Sequence, residues 1–477
     1  MEKKNVWESY DSAELEKLEH FTKQYMKFLD EGKTERECID SIVNRIEKEG
    51  YQELAELEKK QKKLKAGDKV YAVWMNKSIV MFHIGKKPLA EGMNILGAHI
   101  DSPRLDVKQN PLYEDGGFAY LDTHYYGGVK KYQWVTIPLA LHGVVVKKDG
   151  TTVEIAIGEE ADDPVFFISD LLIHLAAEQL EKKASKVIEG EALDLIVGNK
   201  PLYIEGKKEK KEKKAKDPVK AGILKILKED YDIEEEDFLS AELEVVPAGR
   251  AREAGFDRSM ILAYGQDDRV CAFASLQAML ELKETPERTA CCILVDKEEI
   301  GSVGATGMRS RFFENTLAEV LALTHGYDEL SLRRCLAAST MLSSDVSSAF
   351  DPTYESSFDK KNVAYLGGGM VFNKFTGARG KSGSNDANAE YLAYIRRIFA
   401  EEKVHFQTAE LGKVDLGGGG TIAYILALYG MQVIDSGVAV LNMHAPWEAT
   451  SKADVYETKR GYAAFLAHNG MEETWKA

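Results

Sequence analysis

The sequence is poor in cysteine, with five thiols in 477 residues (Cys38, Cys271, Cys291, Cys292 and Cys335) and no CxxC pair. This excludes a disulfide framework and a thiolate zinc site, and points to reduced, buried thiols in a cytoplasmic protein. No run approaches the ~20 apolar residues of a membrane helix, and the opening ten residues mix charges with no apolar segment behind them, so neither membrane spanning nor secretion is expected. Positive charge is also in deficit. Against 78 Asp and Glu stand 62 Lys and Arg, a net −16 that repels phosphate backbones and anionic lipid, so no nucleic-acid or membrane partner is expected. The one basic run, residues 207–216, holds seven lysines and two glutamates without an aromatic to stack on a base, and reads as a solvated loop. Three catalytic signatures are missing as well. There is no HExxH and no GxSxG, and Gly380-Lys-Ser382 has Phe375 where a phosphate-binding loop requires glycine.

What remains is an ordinary globular balance, 44% hydrophobic and 29% charged, in a chain near three times the ~150-residue domain prior. Asp11-x-x-Glu14 and Thr34-x-x-Glu37 spell helix starts, the first followed by Leu15, Leu18, Phe21, Tyr25 and Phe28 at helical spacing. From Lys69 the period becomes that of strands, with Asn76-Lys77 as one turn, and Asp149-Gly150 as the turn of a hairpin between Leu139–Val146 and Val153–Ile157. Beyond about Arg250, short apolar strands (Ala290–Val295, Leu336–Leu342, Val404–Thr408, Met431–Ile434, Val438–Met443) alternate with helical stretches (Val270–Leu282, Asp386–Ala400, Ile422–Tyr429). The fold class expected is α/β, a helix-covered, mixed but mostly parallel sheet with an inserted β-rich domain.

In such sheets ligands bind beyond the carboxyl ends of strands. Five apolar runs lead into the same chemistry: His99, Asp267, the pair Glu298 and Glu299, Asp345, and His444. Two imidazoles and several carboxylates form a nitrogen and oxygen ligand set suited to zinc, manganese or cobalt. His99 and Asp101, two apart in an extended stretch, project to one side, so Asp101 can orient the imidazole. An extended Glu298-Glu299 would send its carboxylates to opposite sides.

The segments Ala98-His-Ile-Asp-Ser-Pro-Arg-Leu-Asp106, Gln266-Asp-Asp-Arg269, Asp296-Lys-Glu-Glu-Ile-Gly-Ser302, Ser343-Ser-Asp-Val-Ser-Ser-Ala-Phe-Asp-Pro352 and Asn442-Met-His444 resemble, in order and over nearly the whole chain, the aspartyl aminopeptidase and aminopeptidase I family of binuclear zinc exopeptidases. The resemblance implies a cytoplasmic metalloaminopeptidase with two divalent metal ions, zinc or else cobalt or manganese. Asp267 would bridge the metals, His99 and Asp345 would complete one, and Glu299 and His444 the other. Glu298 would be the general base and Asp101 the carboxylate beside His99. Where the family reads Leu-Asp-Asn, this chain has Gln266-Asp267-Asp268, a spelling nearer to the tetrahedral aminopeptidases that leaves Asp268 as the other candidate bridge.

The resemblance also implies that His174, from the insert of a partner subunit, stabilises the oxyanion. A histidine packed on an apolar helical face is the alternative. Lys374 is either a substrate contact or a solvated loop lysine. Gly418 and Gly419, in Gly417-Gly-Gly-Gly-Thr421, either line the site or make a tight strand-to-helix turn. The domains expected are 1–107 and 250–477 as one catalytic domain interrupted by a β-rich dimerisation insert, 108–249. Dimers would build a homo-oligomeric dodecamer acting on peptides with a free N-terminus, and the substrate preference, acidic or neutral, stays open. Two rival readings are a binuclear deacylase on the same scaffold, which would cleave N-acyl groups, and a non-catalytic assembly or cargo subunit, for which an intact base at Glu298 has no use.

Overall fold

The computed structural model describes residues 5–202 and 216–471; residues 207–215 of the lysine run lie outside them. The chain forms two compact units, one of residues 1–102, 251–443 and 447–477, the other of residues 103–250 and 444–446.

The first unit is built on a nine-stranded sheet. Its strands follow the order Gln52–Glu53, Lys69–Trp74, Ser78–His83, Ala290–Val295, Asn94–His99, Thr340–Ser344, Gln432–Gly437, Met370–Asn373 and Phe406–Thr408. The four from Ala290–Val295 to Gln432–Gly437 are mutually parallel. Their unbroken apolar runs follow from burial on both faces. Along Ala290–Val295, Cys292 and Leu294 enter one core with Phe28, Phe273 and Tyr462, while Cys291, Ile293 and Val295 enter another with Phe313, Leu317 and Leu426. Helices Ser12–Glu31, Gln266–Glu281 and Lys452–Ala467 lie on the first side, and Phe312–Thr324 and Glu329–Ala338 on the second.

Local signals hold where they are chemical. Thr34 and Glu37 form a reciprocal capping box, and Asp11 accepts the Glu14 N–H. The stripe of Ser12–Glu31 starts at Leu18; Leu15, a turn earlier, stays 37% exposed. Met75 and Asn76, both at φ 51°, make the tight turn between Lys69–Trp74 and Ser78–His83. One strand assignment needs correction. Leu336–Leu342 is the end of helix Glu329–Ala338 followed by strand Thr340–Ser344, because Leu332, Cys335 and Leu336 are buried at helical spacing and Ser339 is the extended residue between them. A run that short does not reveal its own period.

The second unit is an antiparallel six-stranded sheet, ordered Thr152–Ile157, Leu139–Val146, Ala241–Pro247, Arg104–Asp115, Phe118–Tyr126 and Leu195–Gly198, with helix Pro218–Tyr231 against it. No described helix is long and apolar enough to cross a membrane.

Candidate metal centre

Three adjacent parallel strands of the large sheet end at the same level, and their exits carry the chemistry. Val295 pairs with His99, so Ala290–Val295 leads to Glu298 and Glu299 beside the end of Asn94–His99. Thr340–Ser344, on the other side of Asn94–His99, leads straight to Asp345. The Asp345 N–H donates to the Ser436 carbonyl at 3.0 Å. Gly437 permits this approach, since a Cβ there would stand 1.9 Å from the Asp345 carbonyl oxygen.

Glu298 and Glu299 do not form the extended pair their sequence suggests. Lys297, at φ 69°, and Gly301, at φ 95°, bracket a 3-10 turn over Glu298–Ile300. The turn points both backbone N–H groups at one carboxylate: Glu298 donates to Asp101 Oδ1 and Glu299 to Asp101 Oδ2, each at 3.1 Å. Asp101 Oδ1 is also 3.2 Å from His99 Nδ1. His99 Nδ1 is also 3.0 Å from the Asp101 backbone carbonyl, so the backbone and carboxylate of one buried residue hold the ring while the carboxylate holds the turn.

The Nε2 atom of His99 is buried, and the carboxylate oxygens around it stand 3.3 Å away on Asp267, 3.9 Å on Asp345 and 4.0 Å on Glu298. Two groups of converging donors result, His99 with Asp267 and Glu299, and His99 with Glu298 and Asp345, each with its ligand atoms within 4.8 Å of one another. Asp267 rather than Asp268 contributes to them. Asp268 is fully buried, and burial, reinforced by the charge of Asp267, pushes its carboxyl well above the usual range. Asp345 is raised in the same way by burial and by Glu298 and Asp267. For His99, burial opposes protonation, but hydrogen bonding to Asp101 and Asp267 outweighs it and raises the imidazole pKa. Buried carboxylates crowded round one imidazole are costly unless a cation joins them. The donor set, nitrogen and oxygen without sulfur, fits zinc.

The other expected residues fall elsewhere. His444 is half-buried in the second unit, where its Nδ1–H donates to the Gly128 carbonyl at 3.0 Å. His174 sits in the 3-10 turn Ile173–Leu175 of that unit, exposed rather than packed, among exposed Leu171, Leu172, Ile173 and Leu175. Lys374 is exposed just past strand Met370–Asn373. Gly418, at φ 122°, lies against the same loop, where a Cβ would meet the Gly377 carbonyl oxygen at 2.1 Å, and the Gly419 carbonyl accepts the Gly377 N–H at 2.8 Å. The helix that follows, Ala423–Ala427, is short.

Sequence reading missed Thr421, Asp435, Ser102 and Glu448. Thr421 donates to Asp435 at 2.5 Å, and burial pushes that carboxyl up to about 7. Asp435 ends an apolar strand run as Asp345 does, so the same strand-end signal could have found it. Ser102 and Glu448 carry no local signal.

The model of the family described as aminopeptidase I zinc metalloprotease (M18) matches residues 28–466. A probable M18 family aminopeptidase 1 of Clostridium acetobutylicum is 61% identical over 465 residues, covering 98% of each chain. Among solved structures, aminopeptidase I from Clostridium acetobutylicum superimposes with a TM-score of 0.89 at 60% identity, over 98% of this chain and 100% of that one. An M18 aminopeptidase from Thermotoga maritima gives 0.90 at 46% identity, over 98% and 99%.

Proposed function

The chain belongs to the M18 aminopeptidase I family of zinc metalloproteases, and on that premise we propose that it removes the N-terminal residue of peptides at the His99 cluster, with Glu298 as general base. The observation that supports this most is the convergence of His99, Glu298, Glu299 and Asp345, at the exits of neighbouring strands, with Asp267 in the first turn of helix Gln266–Glu281. In this reading Asp267 would serve both of two cations, with His99 and Asp345 holding one, and Glu299 and His444 the other. When bound, the cations supply Lewis acidity and bring water ionisation toward neutral pH. Zinc is the metal of the family; cobalt and manganese suit the same donors.

Glu298 then takes the proton of the attacking water and returns it to the amine of the departing peptide, base first and acid second. Asp101 holds the His99 ring through Nδ1 and anchors the turn that carries Glu298 and Glu299. Lys374, Gly418 and Gly419 contact the substrate. His174, presented by a partner subunit, donates to the developing oxyanion.

For the assembly, the exposed apolar stretch Leu171–Leu175 supports a contact between inserts of two copies, and the family resemblance carries it on to a dodecamer. In this division residues 1–107 and 250–477 are catalytic and 108–249 dimerise. Light scattering that finds an active monomer contradicts the assembly. The cytoplasm is the compartment proposed, in keeping with five buried free thiols.

A panel of aminoacyl amides, free and N-acetylated, assayed with zinc, cobalt and manganese, tests the activity. Turnover confined to free amines is expected; turnover of acetylated substrates alone makes the protein a deacylase, and none at all makes it a non-catalytic subunit.

A further inference from the structure

Asp267 is the residue on which both proposed metal positions depend, and both of its polar backbone groups are held by side chains from distant parts of the chain. Ser102 Oγ donates to the Asp267 carbonyl at 2.6 Å, and the Asp267 N–H donates to Glu448 Oε2 at 3.0 Å. Both partners are buried, Ser102 at 0% exposure and Glu448 at 1%. Asp267 lies in the first turn of helix Gln266–Glu281 but has φ −81° and ψ 108°, outside helical geometry. Its neighbour is fastened too. Gln266 Oε1 accepts the Tyr25 hydroxyl at 3.1 Å, and Nε2 donates to the carbonyls of Ile261 at 3.1 Å and Glu448 at 2.6 Å.

We propose that Ser102 and Glu448 are positioning residues that fix the Asp267 carboxylate for metal binding; the inference rests on the metal reading above. Two anchors on opposite sides of one Cα set both its place and its rotation, leaving only the side-chain torsions free. A shared carboxylate has to stand within ~0.5 Å and ~10–20° of its working geometry. Ser102 is three residues past His99, so its bond ties the strand end that carries the imidazole to the segment that carries Asp267. The 3.3 Å separation of His99 Nε2 and Asp267 Oδ1 is held by that tie. Glu448 acts from the other side, on strand Glu448–Ser451, which pairs with Met260–Ala263 just ahead of Asp267.

The test strips the full-length protein of metal and titrates it with zinc against a chromophoric chelator, for the unaltered protein, Ser102→Ala, Glu448→Ala and Glu448→Gln, with the metal-free melting temperature of each recorded. Loss of such a supporting group lowers metal affinity about 10–100-fold, and that loss is expected in both alanine variants, in protein that the melting curve shows to be folded at the titration temperature. Glu448→Gln keeps an acceptor oxygen for the Asp267 N–H and is expected to restore zinc affinity relative to Glu448→Ala. Unchanged zinc affinity in the alanine variants overturns the proposal, whether or not the melting temperature falls. Should Glu448→Ala fail to fold, Ser102→Ala, smaller by one oxygen, decides. An unaltered protein that takes up no zinc brings down the metal reading itself, and this proposal with it.

Discussion

The Nδ1 atom of His99 stands 3.2 Å from Oδ1 of Asp101, within a buried pair whose carboxylate also receives the N–H groups of Glu298 and Glu299. Asp101 thus fixes a proposed ligand, His99, and the backbone of the proposed base. Asn in its place keeps one acceptor oxygen and loses the charge. Asp101→Asn is therefore expected to bind zinc about 10–100-fold more weakly than the unaltered protein. Competition with a chelator of known affinity measures it, and equal affinities would remove Asp101 from the site.

The Nδ1–H of His444 donates to the Gly128 carbonyl at 3.0 Å, which fixes the tautomer and makes Nε2 the atom of the proposed metal bond. Replacing it by alanine takes one donor from only one of the two proposed metals. His444→Ala is expected to hold one zinc per chain where the unaltered protein holds two, by elemental analysis after dialysis. Two zincs retained would sink the assignment.

Acid sensitivity has a source away from the site. His83, on strand Ser78–His83, is buried with no hydrogen bond to Nδ1 among the described residues, and burial, aided by Lys69, lowers its pKa to about 4. The depressed value favours the neutral ring, so its contribution is whole above pH ~6.5 and is lost as pH falls toward 4, by at most about 1.4 kcal/mol per pH unit. Urea unfolding of metal-free protein between pH 7 and 4.5 is expected to show a shallower decline for His83→Leu than for the unaltered chain. Parallel curves would place the acid lability elsewhere.

Much of this was legible in the sequence because the chemistry is local. An apolar run such as Ala290–Val295 is visible as a strand, and a polar residue just past it is visible as a site candidate. Capping residues announce themselves likewise, as Thr34 and Glu37 do. What stayed hidden is either conformational or remote. Nothing in a lysine foretells φ 69° at Lys297, yet that angle makes the turn of Glu298 and Glu299. The bonds from Ser102 and Glu448 to Asp267 span 165 and 181 residues and leave no mark on either neighbourhood.

At the centre of the proposed site, Glu298 moves the proton while its neighbours hold the metals. Glu298→Gln keeps the size of the side chain and removes its basicity. The deciding measurement is turnover of a free aminoacyl amide by zinc-loaded Glu298→Gln, with zinc content determined on the same sample. Full zinc content with kcat reduced about 10²–10⁴-fold is expected; full zinc content with undiminished kcat would remove Glu298 as the base.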